Sequence, residues 1–244
     1  MVLTETLTNG QIERYSRQII VPGVGGRAQE RLLAAHAALV ARPKDAAAAL
    51  AYLAGAGVGR ITIYPVANRA PYAALIERTR DLNADVQAAL AKDGTQHATV
   101  HALSHAWPDH SPATFDVILA LIGDQVAADV TARAARARRA RAAVIARLDT
   151  PARIAILPAP PPCPLCAGAD LLDAPHARAA NAGVVAMAAV AEAFKLLAGL
   201  AGQQLESTLI DFDGYAARTR PLGREARGER HCICEAPLKS EEPS

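Results

Sequence analysis

Four cysteines form two close pairs, Cys163-Pro-Leu-Cys166 and Cys232-Ile-Cys234. Paired thiolates are typical ligands of a structural zinc ion, which takes four donors in a tetrahedral arrangement. In a reducing compartment, such pairs indicate a metal site rather than disulfides. His231 lies three residues before Cys234, so two ligand sets stay open: all four cysteines, or three cysteines with His231. We expect the all-cysteine set, which would clip the C-terminal segment onto the domain and leave no thiol for catalysis.

Two further clusters carry side chains that could do chemistry. His97, His101 and His105 recur at every fourth residue, a spacing that would line one helix face and could bind a metal ion. Apolar residues between them favour a strand, which would spread the histidines apart, so we expect no metal site there. The second cluster is basic and consists of Arg133, Arg136, Arg138, Arg139 and Arg141. No aromatic residues are interleaved for base stacking, so we expect a solvated helix face.

Composition narrows the class of protein. The chain has 244 residues, of which 51% are hydrophobic and 4% aromatic, and its net charge is +2. These values exclude intrinsic disorder and a collagen-like chain, and they give no global nucleic-acid footprint. No apolar run reaches the roughly 20 residues that a bilayer requires, and the N-terminus lacks the apolar core of a signal peptide. We therefore expect a cytoplasmic protein without membrane or nucleic-acid partners.

Strand-like and helix-like segments alternate along the chain, which predicts an α/β fold. We expect a Rossmann-like three-layer sandwich with a mostly parallel sheet. An N-terminal helical arm is predicted at 1–36, a single domain at 37–234 and a disordered tail at 235–244. Strands are predicted at 38–41, 60–64, 98–103, 117–122, 142–147 and 153–157, helices at 11–20, 28–37, 45–54, 71–92, 125–141 and 181–200, and an antiparallel hairpin at 205–220 around Asp213-Gly214.

Several motifs occur in an order that resembles one known family. They begin with Arg14-Tyr-Ser-Arg17-Gln-Ile, Gln29-Glu-Arg-Leu32 and Gly55-Ala-Gly-Val-Gly59-Arg-Ile, and they continue through the cysteine pairs and the helix at 183–199. This set resembles the ThiF/MoeB/HesA adenylyltransferases, which are related to ubiquitin-activating enzymes. The resemblance implies dimers with one structural zinc per subunit. It also implies ATP- and magnesium-dependent adenylation of a ubiquitin-like protein, a sulfur carrier or a peptide.

The phosphate-binding loop departs from that family. Family members carry Gly-x-Gly-Gly-x-Gly after the first strand, where glycines let backbone amides approach the phosphates. Here the segment is Ala41-Arg42-Pro43-Lys44-Asp45-Ala46, so every glycine is replaced. Pro43 removes an amide donor, and Asp45 would cap the helix and place negative charge where phosphate should lie. We therefore expect no nucleotide site at this loop.

Three further departures agree with this interpretation. The family's second strand ends in acidic residues that hold the ribose, but Tyr64-Pro65-Val66 stands there. The next loop normally carries an Asn and an Arg for the phosphates, and this sequence shortens it to Asn68-Arg69-Ala70-Pro71. The metal-binding Asp is replaced by Gly123, and the neighbouring Asp124 is expected to cap a helix instead. ATP and magnesium chemistry within this chain is therefore not expected.

Arg17 keeps its counterpart in the family. In family dimers the second Arg of the Arg-Tyr-x-Arg motif reaches the partner's ATP phosphates, so Arg17 could act in trans without a nucleotide in its own subunit. The alternative is that Arg14 and Arg17 lie on a solvated helix face.

We therefore hypothesise a catalytically degenerate subunit that dimerises with itself or with an active paralogue. It would support adenylation of a carrier protein or a peptide. Two alternatives remain: an active adenylyltransferase in which Arg42 and Lys44 replace the glycine loop, and a peptide-docking module of a peptide-modifying system.

Overall fold

A computed structural model describes residues 7–66, 68–91, 115–121, 140–148, 152–157, 181–200, 207–213 and 216–222. These residues form a mixed α/β structure. The helices are α1 (Asn9–Ile19), α2 (Gly25–Ala34), α3 (Pro43–Gly55), α4 (Ala70–Leu82) and α5 (Ala182–Ala198). The strands are β1 (His36–Ala41), β2 (Arg60–Pro65), β3 (Gln87–Leu90), β4 (Phe115–Ala120), β5 (Ala140–Arg147), β6 (Arg153–Leu157), β7 (Thr208–Asp213) and β8 (Ala216–Pro221).

All eight strands belong to one sheet in the order β3-β2-β1-β4-β5-β6-β7-β8. The first five strands along the chain run parallel to one another, and β6, β7 and β8 continue the sheet in antiparallel pairs. Parallel strands need crossover connections, and α3 and α4 provide two of them by linking β1 to β2 and β2 to β3. The predicted Rossmann-like fold with a mostly parallel sheet is confirmed at this level.

Alternate residues of the central strands divide the core between the two faces of the sheet. Leu39 and Ile63 belong to one apolar cluster, which also contains residues of α3 and α5 such as Leu50 and Val185. Val40 belongs to the other face, together with Ile118 and Leu157. Burial on both faces explains why β1 and β4 consist almost entirely of apolar residues.

Three predicted helices differ from the structure. The helix predicted at 28–37 corresponds to α2 and ends at Ala34, because His36 and Ala37 already belong to β1. The helix predicted at 71–92 ends at Leu82, and residues 87–90 form β3 instead. Gln-Ala-Ala-Leu has helix-forming composition, but pairing with β2 from Arg60 to Ile63 overrides that preference. The helix predicted at 125–141 is wrong at its end, because Ala140 and Arg141 belong to β5, and residues 125–139 lie outside the described residues. The strand predicted at 98–103 and the tail at 235–244 lie outside the described residues.

The C-terminal part of the sheet differs in detail from the predicted hairpin, because Asp213, expected at the turn, is the last residue of β7. β7 and β8 are antiparallel, with Asp213 opposite Ala216 and Asp211 opposite Arg218. The helix α5 begins after Asn181, whose side chain accepts a hydrogen bond from the Gly183 amide, and it ends at Gly199 with a positive φ of 69°. None of the helices in the described ranges has the length and apolar character needed to cross a membrane.

Candidate functional site

The strand order reverses between β1 and β4, and open α/β sheets bind ligands in a crevice outside the carboxyl ends of the strands at such a point. We call the region outside the ends of β1 and β4 the crevice. Ala41 is the last residue of β1, and Leu121 follows β4. The Leu121 amide donates a hydrogen bond of 2.8 Å to the Val40 carbonyl, which joins the two strand ends. Because α3 begins two residues after Ala41, its N-terminus faces the place where a phosphate would be expected.

The first turn of α3 is built from residues that do not suit an anion. Pro43 occupies the start of the helix and has no amide hydrogen. The amides of Asp45 and Ala46 both donate to the Arg42 carbonyl, at 3.0 and 2.8 Å. The helix cap is Arg42, whose side chain makes no capping hydrogen bond, and Asp45 lies inside the first turn. Asp45 is therefore not the N-cap that the sequence suggested.

The charge of Asp45 works against phosphate binding. A carboxylate in the first turn interacts favourably with the positive end of the helix dipole, which an incoming phosphate would otherwise use. A phosphate at this end of α3 would thus meet a first turn that lacks the Pro43 amide hydrogen and carries the Asp45 carboxylate.

Tyr72 fixes the strand ends beneath this turn. Its side chain is fully buried, and its hydroxyl donates to the Ala41 carbonyl at 2.6 Å while accepting from the Val66 amide at 3.2 Å. Burial raises the pKa of the Tyr72 phenol above its ordinary value of 10.0, the hydrogen bond from the Val66 amide partly offsets this, and the negative charge of Asp45 adds a smaller increase. The phenol therefore stays neutral and joins β1 to β2. No sequence pattern predicted this role, because Tyr72 stands out in the sequence only as the residue after Pro71.

The two polar residues before α4 have structural partners. The Asn68 side chain accepts a hydrogen bond from the Ala70 amide at 3.0 Å, which starts the helix. Arg69 is half-buried, and its guanidinium donates to the carbonyl of Ala91 at the end of β3, at 2.8 Å. Both side chains are thus engaged in holding the loop between β2 and α4.

Arg42 and Lys44 bring positive charge to the N-terminus of α3. Both side chains are exposed, one at the cap of α3 and the other in its first turn. Their positions bring positive charge to the same edge of the sheet as Asp45. An anion could therefore meet these two side chains without entering the first turn of the helix.

The other predicted site residues cannot be placed. Asp124, Cys163, Cys166, His231, Cys232 and Cys234 lie outside the described residues, as do the histidines at 97, 101 and 105 and Arg133, Arg136, Arg138 and Arg139. Within the described ranges, no three His, Cys, Asp or Glu side chains come together as a metal-binding group. The zinc ligands remain a prediction.

The motif residues of the arm meet at the opposite edge of the sheet, where the parallel strands begin. Tyr15 of α1 is buried, and its hydroxyl donates to Asp85 at 3.0 Å and accepts from Asn83 at 2.8 Å. Asn83 also donates to the Ala54 carbonyl at 2.7 Å, and Arg14 lies 3.6 Å from the Asp85 carboxylate. Burial is the main cause that raises the pKa of the Tyr15 phenol. These contacts hold α1 on the turns that precede β2 and β3.

Two glycines of the Gly-Ala-Gly-Val-Gly motif allow this close packing. Gly57 has a φ of +84°, and a Cβ there would come within 2.7 Å of the Gln29 side chain and 2.8 Å of the Tyr15 ring. A Cβ on Gly59 would lie 1.8 Å from the Leu33 carbonyl oxygen. Gln29 in turn donates to the Ala56 carbonyl at 3.0 Å. The N-terminal motifs are therefore one structural unit, in which α1 and α2 pack on the loop between α3 and β2.

Arg17 lies on this arm and not at the crevice. It is exposed in the last turn of α1, next to Gln18, whose side chain donates to the Gly55 carbonyl at 3.3 Å. Gly55 ends α3, whereas the crevice lies at the start of that helix. With 13 residues at about 1.5 Å each, α3 separates the two sites by roughly 20 Å. Arg17 therefore does not belong to the crevice of its own chain.

Comparisons with known proteins place this geometry in context. No protein-family model matches the chain. A segment of 57 residues is 46% identical to the vegetative protein HesA of Trichormus variabilis (strain ATCC 29413 / PCC 7937), and it spans 23% of this chain and 22% of HesA. The sequence match is thus local and covers a small part of both proteins.

Solved structures match over most of the chain. E. coli MccB bound to ATP has a TM-score of 0.64 at 14% identity, covering 91% of this chain and 73% of MccB. PaaA, solved with selenomethionine, has a TM-score of 0.58 at 14% identity over 91% of this chain and 76% of PaaA. The microcin C7 biosynthetic enzyme MccB in complex with N-formylated MccA matches at a TM-score of 0.62 and 86% coverage of this chain, with 72% of MccB covered. The chain has the MccB fold, and part of its sequence is similar to HesA, in agreement with the resemblance that the motifs predict.

Proposed function

We propose that this chain is a subunit without adenylation activity of its own, which supports the adenylation of a carrier protein or a peptide. The observation that carries the proposal is the first turn of α3. Pro43 lacks the amide hydrogen and Asp45 brings a negative charge where the family binds phosphate. Structures of MccB, which has the same fold, contain ATP or N-formylated MccA. The fold of this chain is therefore one that binds a nucleotide and a peptide in MccB.

The test is nucleotide turnover by the isolated chain. We expect no ATP–pyrophosphate exchange and no heat of ATP–magnesium binding in a calorimetric titration, with or without carrier peptides. E. coli MccB, which binds ATP, provides the positive control for the binding measurement. Clear exchange with any carrier peptide would refute the proposal.

One observation favours a second candidate, an active adenylyltransferase with a rewired site. Arg42 and Lys44 are both exposed at the crevice and could contact phosphates from outside the first turn of α3. This alternative predicts a binding heat with ATP and magnesium that is lost in Lys44→Ala. The matched control is Arg78→Ala, which removes an exposed cation from α4.

The position of Arg17 supports a role in a dimer. An exposed guanidinium far from its own crevice could stabilise phosphoryl charge only in a partner subunit, either a second copy or an active paralogue. We expect Arg17→Ala to lower the adenylation rate of a mixed complex with a glycine-loop paralogue, and Arg14→Ala to leave the rate within twofold. Arg14 is a suitable comparison because its partly exposed side chain pairs with Asp85 within the arm.

We also propose a structural zinc ion held by Cys163, Cys166, Cys232 and Cys234, with His231 as the alternative fourth ligand. Thiolates are soft donors that suit zinc, and four of them complete its tetrahedral coordination. Metal analysis of the purified chain should find about one zinc per chain, as expected for such sites. Cys163→Ser should lose the metal, and separate Cys232→Ser and His231→Ala variants would distinguish the two ligand sets.

A further inference from the structure

Strand β8 lies at an edge of the sheet and carries two arginines on one face. Among the eight strands in the described part of the chain, β8 pairs with β7 alone. Residues 216–219 and Pro221 are exposed, and Arg220 is partly exposed. An exposed edge strand presents unpaired backbone groups that another extended chain can use.

The register of the strands brings further charges onto the same face. Arg218 lies opposite Asp211, which lies opposite Arg153, which in turn lies opposite Arg147. These residues form a row across four strands, and Arg220 joins it by donating to Asp211 at 2.9 Å. Neighbouring strands are about 4.8 Å apart, so the row spans roughly 14 Å.

Positive charge exceeds negative charge on this face. Along β5 to β8 its described charges are the guanidinium groups of Arg141, Arg147, Arg153, Arg218 and Arg220 and the carboxylates of Asp211 and Asp213. Arg141 pairs with Asp116 of β4. Arg153 is buried and donates to Asp211. Arg147 and Arg153 lie directly opposite each other, and like charges in such positions lower the stability of the sheet. The outer end of the row, at Arg218, is exposed to solvent.

The hydrogen-bond pattern shows which backbone groups β8 offers. The Leu222 amide donates to the Ser207 carbonyl at 2.7 Å, continuing the β7–β8 ladder. Because such bonds alternate along an antiparallel pair, the amides of Arg218 and Arg220 face β7 and those of Ala217 and Thr219 face outward. Pro221 stands at the next outward position and limits pairing to the part of the strand before it.

We propose that β8 receives an extended acidic peptide as a ninth strand, with alternate carboxylates facing Arg218 and Arg220. Side chains alternate with a period of two, so an acidic residue at every second position would lie on the arginine face. The same arginines disfavour pairing with β8 of a second copy, because like charges would meet. This inference rests on the proposed function only in that it specifies an acidic sequence for the peptide partner proposed there.

The test uses the full chain and a fluorescent ten-residue peptide with Glu at alternate positions. Its matched probes are the same peptide with Lys in place of Glu and an oligouridylate of equal negative charge. We expect binding of the Glu peptide that weakens at least tenfold in Arg218→Glu and less than twofold in Arg78→Glu, an equal charge change on α4. We expect the Lys peptide and the oligouridylate to bind at least tenfold more weakly than the Glu peptide.

A second measurement tests strand addition itself. Thr219→Pro removes an outward amide and leaves the arginines in place, so it should also weaken Glu-peptide binding at least tenfold, with far-UV circular dichroism confirming the fold. Equal losses in Arg218→Glu and Arg78→Glu, unchanged binding in Thr219→Pro, tighter binding of oligouridylate, or no binding at 1 mM peptide would overturn the inference. None of these results would bear on the expected lack of ATP–pyrophosphate exchange, which is a separate measurement on the isolated chain.

Discussion

The ring of Tyr15 lies so close to Gly57 that a Cβ on residue 57 would come within 2.8 Å of two ring carbons. Tyr15 belongs to the Arg-Tyr-x-Arg segment and Gly57 to the glycine motif, so two parts of the family pattern are explained by one contact. The hydroxyl of the same ring reaches Asp85 and Asn83. These motifs therefore hold the arm in place, independently of any chemistry at the crevice.

Gly57→Ala should destabilise the fold by about 3 kcal/mol, because it combines a positive φ with a steric clash. Gly55→Ala is the matched control, since a Cβ there meets nothing within 4 Å and the residue ends a helix. We expect the control to change the free energy of unfolding by less than about 1 kcal/mol. Urea denaturation measures both. Equal stability of the two variants would show that the arm does not pack on Gly57 as described.

Tyr72→Phe should cost about 1–3 kcal/mol, because the buried Ala41 carbonyl and Val66 amide lose their shared hydroxyl. Tyr52→Phe is the control, since that side chain is 63% exposed, and it should change stability by less than about 0.5 kcal/mol.

The same variant has a pH signature. The pKa of Tyr72 is raised in the fold, so the neutral phenol stabilises it below pH 10 and that stabilisation is lost as pH rises. Tyr72→Phe should therefore lose less stability than the parent above pH 10, while Tyr52→Phe follows the parent. Because folding also raises the pKa of Tyr15, both variants should still lose some stability as pH rises above 10.

Much of the fold follows from local pattern. Apolar runs of strand length predicted the buried β1 and β4, and the strand at 153–157 has its predicted bounds. The missed strand β3 has helix-forming residues, and only its pairing with β2 makes it a strand. Such pairing depends on residues far apart in the chain, which a local pattern does not contain.

Less of the candidate site than of the fold could be predicted from the sequence. The loss of glycines at 41–46 could be read from the sequence, but the role of Tyr72 could not, because its hydroxyl bonds to a carbonyl 31 residues away. The prediction that Asp45 caps the helix was wrong. Pro43 suits the first helical position, so α3 begins two residues earlier than predicted and Arg42 is the N-cap. Likewise, Arg153 and Asp211 are 58 residues apart, and only the strand register shows that they pair.

The Arg153–Asp211 pair gives a prediction in acid. Burial raises the pKa of the Asp211 carboxyl, but hydrogen bonds from Arg220 and Arg153 outweigh burial and hold that pKa below its ordinary value of 3.8. A carboxyl whose pKa is lowered by folding stabilises the fold above its unfolded-state pKa, and that stabilisation is lost as pH falls through the folded value. The loss therefore occurs below about pH 4.

Asp211→Asn should cost about 2–3 kcal/mol at pH 7, because it leaves the buried Arg153 guanidinium without a counter-charge. Its stability should also fall less than that of the parent between pH 5 and pH 3. Asp81→Asn removes an exposed carboxylate from α4 and should match the parent within about 0.5 kcal/mol at pH 7. Urea unfolding at the three pH values measures both effects. If Asp211→Asn and Asp81→Asn were equally stable at pH 7, the carboxylate of Asp211 would not be what compensates the buried charge of Arg153.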